Sequence, residues 1–238
     1  MKKLLLSLIT FVSLHSFAQD VLVSDANAEK RTLSGSFTTI KISDGIDLML
    51  TQGNEESIAV SASDQKYMER FKTEVVDGTL KIYYDNKGMI WNSNEKRKLK
   101  AYVSFKTLQQ LDASSGANVN AKSILKLTDL KMVFTSGAQF TGQVDIGEME
   151  VSQNSGAEIN ISGKADRLKV DINSGAIFKG FDLAVDYCDA KASSGAGVRI
   201  SVNKELNAKA NSGGGVRYKG EAVIKDINVH SGGIVKKA

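Results

Sequence analysis

Ser155-Gly156-Ala157-Glu158-Ile159-Asn160-Ile161 is answered nineteen residues later by Ser174-Gly175-Ala176-Ile177-Phe178-Lys179-Gly180. The correspondence continues in both directions. Ser-Gly pairs stand at Ser115-Gly116, Ser136-Gly137, Ser194-Gly195, Ser212-Gly213 and Ser231-Gly232 as well, giving glycine-to-glycine intervals of 21, 19, 19, 20, 18 and 19 residues. The residue after each glycine is always Ala or Gly, from Ala117 to Gly233. Three residues after each glycine an apolar side chain recurs: Val119, Phe140, Ile159, Phe178, Val198, Val216 and Val235. Five before it the set is Leu111, Met132, Val151, Val170, Ala190, Ala208 and Ile227. Seven before it stand Leu130, Met149, Leu168, Cys188 and Leu206, with Gln109 and Lys225 as exceptions in the outer copies.

Polar residues alternate with these apolar ones, so each copy reads as a strand, a glycine turn and a second strand. A unit this short cannot bury its apolar face alone. Stacked on its neighbours it can, because each inward side chain lands on its counterpart one rung away. The expected fold is therefore all-β: a single-stranded parallel β-helix of about seven Ser-Gly-(Ala/Gly) rungs. Glycine suits the sharp corner because a left-handed backbone costs little without a Cβ. The row before the serines, Ser114, Thr135, Asn154, Asn173, Ser193, Asn211 and His230, is expected to form a side-chain hydrogen-bond ladder that fixes register. Leucine-rich repeats, propeller blades, helical solenoids and calcium-binding nonapeptide repeats each need a consensus, length or period absent here.

Met1–Ala18 reads as a signal peptide. Lys2 and Lys3 precede the apolar run Leu4–Leu14, and Ser16-Phe17-Ala18 offers small residues at the cleavage positions. Export is expected, to the periplasm, the outer-membrane surface or the medium, with no transmembrane segment in the mature chain. The whole chain carries 31 Lys+Arg against 27 Asp+Glu, and losing Lys2 and Lys3 leaves the mature charge near balance. That balance argues against a nucleic-acid partner. The one dense basic run, Glu95 to Lys100, reads as a solvated loop. The 238-residue chain has one cysteine and no proline, so packing and backbone ladders must stabilise it.

Before the repeats, residues 19–32 form a polar leader and residues 33–106 a β-rich cap; residues 107–238 hold the repeats. In the cap, Phe37-x-x-Ile40-x-Ile42 and Ile46-x-Leu48-x-Leu50 mark strands around Asp44-Gly45, and Ile58-x-Val60 marks a third. Gln65–Phe71 reads as a short helix capped by Asp64. Lys72–Val76, Asp77-Gly78 and Thr79–Tyr84 read as a hairpin, since Asp-Gly suits a primed turn. The cap is expected to cover the first rung, whose open edge invites aggregation.

The leading Phe37-x-x-Ile40 strand, Asp44-Gly45-Ile46-Asp47-Leu48-x-Leu50-x-Gln52-Gly53, Asp77-Gly78-x-Leu80-x-Ile82 and the Ser-Gly-Ala array together resemble the head GIN domain of auto-transporter adhesins, common in Bacteroidetes. The resemblance covers Leu33 to the C-terminus. It implies a right-handed β-helix in a secreted or envelope protein.

No residue set calls for a cofactor, a metal or a catalytic role. Cys188 occupies a row otherwise filled by Leu and Met, so it reads as a small buried hydrophobe. His230 takes a corner position. Asp112 and Asp171 share one outward row but stand three rungs apart, about 14 Å at the strand spacing. Asp182, Asp186 and Asp189 cluster on a turn and strand, where a solvated role outweighs calcium binding. One outward row does suggest binding. Four residues after each glycine stand Asn120, Thr141, Asn160, Lys179, Arg199, Arg217 and Lys236. The last four are cationic on consecutive rungs, a stripe suited to an anionic glycan or cell-surface polymer. Alternatively the side chains splay into water, or Glu158, Asp182 or Glu221 neutralises them. A non-enzymatic, adhesin-like binding module is the leading expectation. A carbohydrate-active β-helix enzyme and a structural assembly protein are the rivals, and the sequence leaves the oligomeric state open.

Overall fold

The computed structural model describes residue 25, residues 27–88 and residues 96–238. The expected signal peptide, Met1–Ala18, and most of the expected leader lie outside the described residues. Strands β1 (Glu29–Arg31), β2 (Thr39–Ile42), β3 (Asp47–Gln52), β4 (Ser57–Ser61), β5 (Phe71–Val76), β6 (Thr79–Tyr84) and β7 (Lys100–Phe105) precede the repeats. Then come β8 (Gln110–Ala113), β9 (Asn118–Ala121), β10 (Leu125–Phe134), β11 (Gln139–Gln153), β12 (Glu158–Ile172), β13 (Ile177–Ala192), β14 (Gly197–Ala210), β15 (Gly215–Lys219), β16 (Val223–Val229) and β17 (Ile234–Lys237). All of them join one coiled sheet, a β-solenoid that is parallel except at β1, β4 and β5, and the only helical element described is a 3-10 turn at Gln65–Tyr67.

The apolar rows stack as the period requires. Val119, Phe140, Ile159, Phe178, Val198, Val216 and Val235 pair in series up the solenoid. So do Leu111, Met132, Val151, Val170, Ala190, Ala208 and Ile227 on another side. Except in the last rung both rows are buried and form one continuous core. A fully buried Phe or Leu contributes roughly 1.5–3 kcal/mol over its exposed state, and Phe140 adds an edge-to-face contact with Phe134 at 6.1 Å. Among the described residues the buried polar exceptions include Gln153, whose Nε2 donates to the carbonyls of Ala157 and Ile177.

Each corner is a four-residue turn. The N–H of Ala157 donates to the carbonyl of Asn154 at 3.1 Å, with Ser155 at φ 51° and Gly156 at φ 71°. Two consecutive left-handed residues define a type I′ turn, so the serine, not only the glycine, is left-handed. Rung is tied to rung at this point by the glycine N–H, which donates to the serine carbonyl of the next copy, as in Gly137 to Ser155 and Gly156 to Ser174. The side-chain ladder expected of the Ser/Thr/Asn row is not what fixes register: among the described residues no side-chain bond joins successive members, and each N–H donates to the carbonyl just before its counterpart, as Asn154 to Phe134 and Asn173 to Gln153. Most of those side chains are half-buried, with Asn211 and His230 exposed. The unequal intervals are absorbed away from the corner, as register shifts at Asn160/Ser162, Gly180/Ala184, Val185/Tyr187 and Leu206/Asn207. The last shift explains one sequence exception. Lys225 bulges outward, and Ile224 takes the place opposite Leu206.

The N-terminal region both extends and caps the solenoid. Strands β2 and β3, joined at Asp44-Gly45, form a further rung in register with β8 and β9. Beyond it β6 pairs with β2 and β7 with β3, all parallel, so a second extra rung lies outermost. Antiparallel β5, β4 and β1 then flank that rung. The β5–β6 hairpin turns at Asp77-Gly78, both at positive φ, as its sequence predicts. The expected helix is shorter than Gln65–Phe71: Asp64 caps Gln65–Tyr67, and Phe71 already belongs to β5.

Candidate functional site: an outward basic row beside a charged groove

Parallel pairing sets Lys179 against Arg199, Arg199 against Arg217, and Arg217 against Lys236. Successive members are thus one strand spacing apart, about 4.8 Å. Above them in the same row stand the neutral Asn160, Thr141 and Asn120. Lys179 is the member that is neutralised: its ammonium hydrogen-bonds Glu158, two residues earlier in the repeat and one rung back. Arg199, Arg217 and Lys236 are exposed, and among the described residues no carboxylate lies within ion-pair distance of them. Glu221 pairs instead with Lys237 at 3.0 Å.

Like charges on adjacent strands repel by a few tenths of a kcal/mol or more. Here the repulsion is left uncompensated over three rungs. The sequence reading missed a flanking cation: Lys219, two residues after Arg217, lies 4.4 Å from the ring of Phe181. Both occupy the sixth place after their glycines, so the repeat alignment holds the signal. The stripe is therefore bordered by an aromatic face as well as by ammonium groups.

A second feature lies on the side before the corners. A groove of about 510 Å³ crosses five rungs between two outward rows. One row runs Asp129, Glu148, Arg167, Tyr187, Glu205, and the other Lys131, Glu150, Lys169, Asp189, Asn207. Four of its charges pair within the groove, while one Asp189 carboxylate oxygen is buried without a hydrogen-bond partner. Lys169 meets Glu150 at 3.0 Å, and Arg167 meets Glu148 at 4.0 Å and stacks 4.6 Å from the ring of Tyr187. The Lys169 hydrogen bond holds the Glu150 carboxyl below its usual range, which is opposite to what a general acid requires.

The remaining candidates fall apart spatially. Asp112 and Asp171 are three pairings apart in their row. Asp186 is bound by Lys204 at 2.7 Å and by the Asn203 amide, and its carboxyl is held low by the Lys204 hydrogen bond. Cys188 is buried between Leu168 and Leu206, and burial pushes its thiol up to about 12. Among the described residues no three His, Cys, Asp or Glu side chains converge to hold a metal. From the basic run, Arg97 lies 4.2 Å from the Tyr84 ring and donates to Asn86, which makes it part of the loop beside the outermost rung. No helix among the described residues is long and apolar enough to cross a membrane.

The solenoid is similar to several solved structures. A putative adhesin from Bacteroides fragilis superposes with a TM-score of 0.79 at 14% identity, covering 89% of this chain and 96% of that one. A putative adhesin from Parabacteroides merdae gives 0.69 at 20% identity, covering 90% and 97%. A putative lipid binding protein from Parabacteroides distasonis gives 0.67 at 20% identity, covering 89% and 97%. No curated protein matches the chain. The family model described as putative auto-transporter adhesin, head GIN domain, matches residues 36–222, and the chain belongs to that family.

Proposed function

We propose that this protein is an exported, non-enzymatic binding module of the adhesin type, which holds an anionic cell-surface polymer along Arg199, Arg217 and Lys236, with Lys179, paired to Glu158, at the end of the row. Export rests on the signal-like Met1–Ala18 segment. The observation that carries the reading is the run of Arg199, Arg217 and Lys236, stacked rung on rung with no carboxylate partner among the described residues. A regular row of unneutralised cations suits a regular row of anions, the chemistry of acidic polysaccharide and of lipopolysaccharide phosphates. Lys219 and the Phe181 ring widen the contact beside it.

The test is retention on an immobilised acidic polysaccharide. The unmodified chain should bind at low salt and elute as salt rises, because exposed charges are screened. Arg199→Glu with Arg217→Glu should elute at clearly lower salt, and Lys41→Glu, on another side of the solenoid, should not. Retention that ignores both salt and the double reversal would sink the proposal.

A further inference from the structure

The two ends of the solenoid are unlike. At the N-terminal end β1, β4 and β5 fold antiparallel over the outermost rung, and Tyr67, Met68, Phe71 and Leu99 are buried in that region. At the other end β16 pairs with β14 alone and β17 with β15 alone, so each keeps a free edge among the described residues. The inward rows are also uncovered there. Ile224 is 37%, Ile227 44% and Val229 42% exposed, whereas Leu206, Ala208 and Ala210, their counterparts one rung back, are buried.

An apolar face bordered by a free strand edge has two needs. Its side chains must leave water, and its N–H and C=O groups must find partners. A lipid surface meets the first and worsens the second, since hydrocarbon offers backbone groups nothing. A strand meets both. We propose that this end is an interface with a second copy of the chain, formed by antiparallel pairing of β16 with β16 about a two-fold axis.

The sequence of β16 suits its own reverse. The bulge at Lys225 places Ile224 and Ile227 on the same inward side, although they are three residues apart. A pairing that sets Ile224 opposite Ile227 of the second copy also sets Lys225 opposite Asp226 of that copy. The two-fold then repeats both contacts, apolar on apolar and cation on anion. In the single chain Lys225 reaches back one rung to Glu205 at 3.4 Å, a contact that pairing would exchange for Asp226 of the second copy. Because β16 pairs with its own counterpart about a two-fold axis, the contact consumes the same edge on both copies and closes at two.

Sedimentation equilibrium of the purified chain tests the proposal. A dimer is expected. Ile227→Lys, at a site already exposed, should give a monomer with an unchanged circular dichroism spectrum. Lys225→Glu should weaken association at least about tenfold, that is by about 1.4 kcal/mol, and adding Asp226→Lys should restore it. A monomer at all concentrations, a dimer indifferent to Ile227→Lys, or a double swap that fails to restore pairing would each overturn the proposal. So would a monomer that floats with phosphatidylglycerol vesicles, which would assign the end to a membrane. None of these variants touches the basic row, so the outcome is independent of the polymer-binding test.

Discussion

The main-chain N–H of Gly45 donates to the carbonyl oxygen of Ser115 at 2.9 Å. Gly116 makes the same bond to Ser136, and Gly137 to Ser155. Asp44-Gly45 is thus a corner of the same column, with φ values of 62° and 68° where Ser115-Gly116 has 53° and 73°. The chain leaves the column after β3, builds the outermost rung and its flanking strands, and returns at β8. Aspartate in place of serine ties the column to that outer rung, since its carboxylate accepts from the N–H of Tyr84 at 3.2 Å and from the Asn86 amide at 3.4 Å.

The left-handed serine gives the corners a test independent of the core. Ser155→Val places a β-branched side chain at φ 51° and should lower the unfolding free energy by about 1–2 kcal/mol. Ser155→Asn, a residue that tolerates this region, should be nearly neutral. Urea midpoints compare the two. Equal midpoints would mean that the corner does not hold the φ described.

The thiol of Cys188 is pushed up to about 12, by burial first and then by the Asp189 charge. A folded value above the ordinary one near 9 means that the buried thiol's contribution is complete below pH 9. It is lost as pH rises towards 12, when the unfolded chain ionises first. Thiol reagents should therefore leave the native protein unlabelled at neutral pH and label it fully in denaturant. Cys188→Ala should remove that part of the alkaline loss of stability. Rapid native labelling would contradict the burial.

Across the groove, Lys169 keeps the Glu150 carboxyl low. Its contribution to stability is present above the ordinary carboxylate range and fades as pH falls through the lowered value. Both groups are half-exposed, so salt limits the effect. Lys169→Gln should return Glu150 to the ordinary range in a carbon-detected NMR titration, with little change in melting temperature. An unmoved titration would mean that the pair does not persist in solution.

The solenoid was legible because each of its devices repeats. An inward position is recognisable once its neighbours at the same phase are all apolar, as at Phe140, Ile159 and Phe178. Repetition failed as a guide in two places. The Ser/Thr/Asn row has the composition of a side-chain ladder, yet the type I′ turn and the bonds between rungs already hold the corner through its backbone. The N-terminal strands were readable around Asp44-Gly45 and Asp77-Gly78, but they lack the Ser-Gly mark and pair with segments distant in the chain, so their place as further rungs was not. The basic row was visible from spacing alone. That Glu158 neutralises Lys179 while Glu221 goes to Lys237 was not, because it depends on diagonal reach between rungs.

The sequence by itself determined the period, the corners and which side chains face inward, because a pleated strand alternates its faces and a stacked repeat must superpose like on like. Only the tertiary structure decided which strands lie outermost, which charges are spent on neighbours, and that one end is covered while the other is bare. These are relations between residues far apart in the chain. They follow from where the chain returns, which the period of a repeat does not specify.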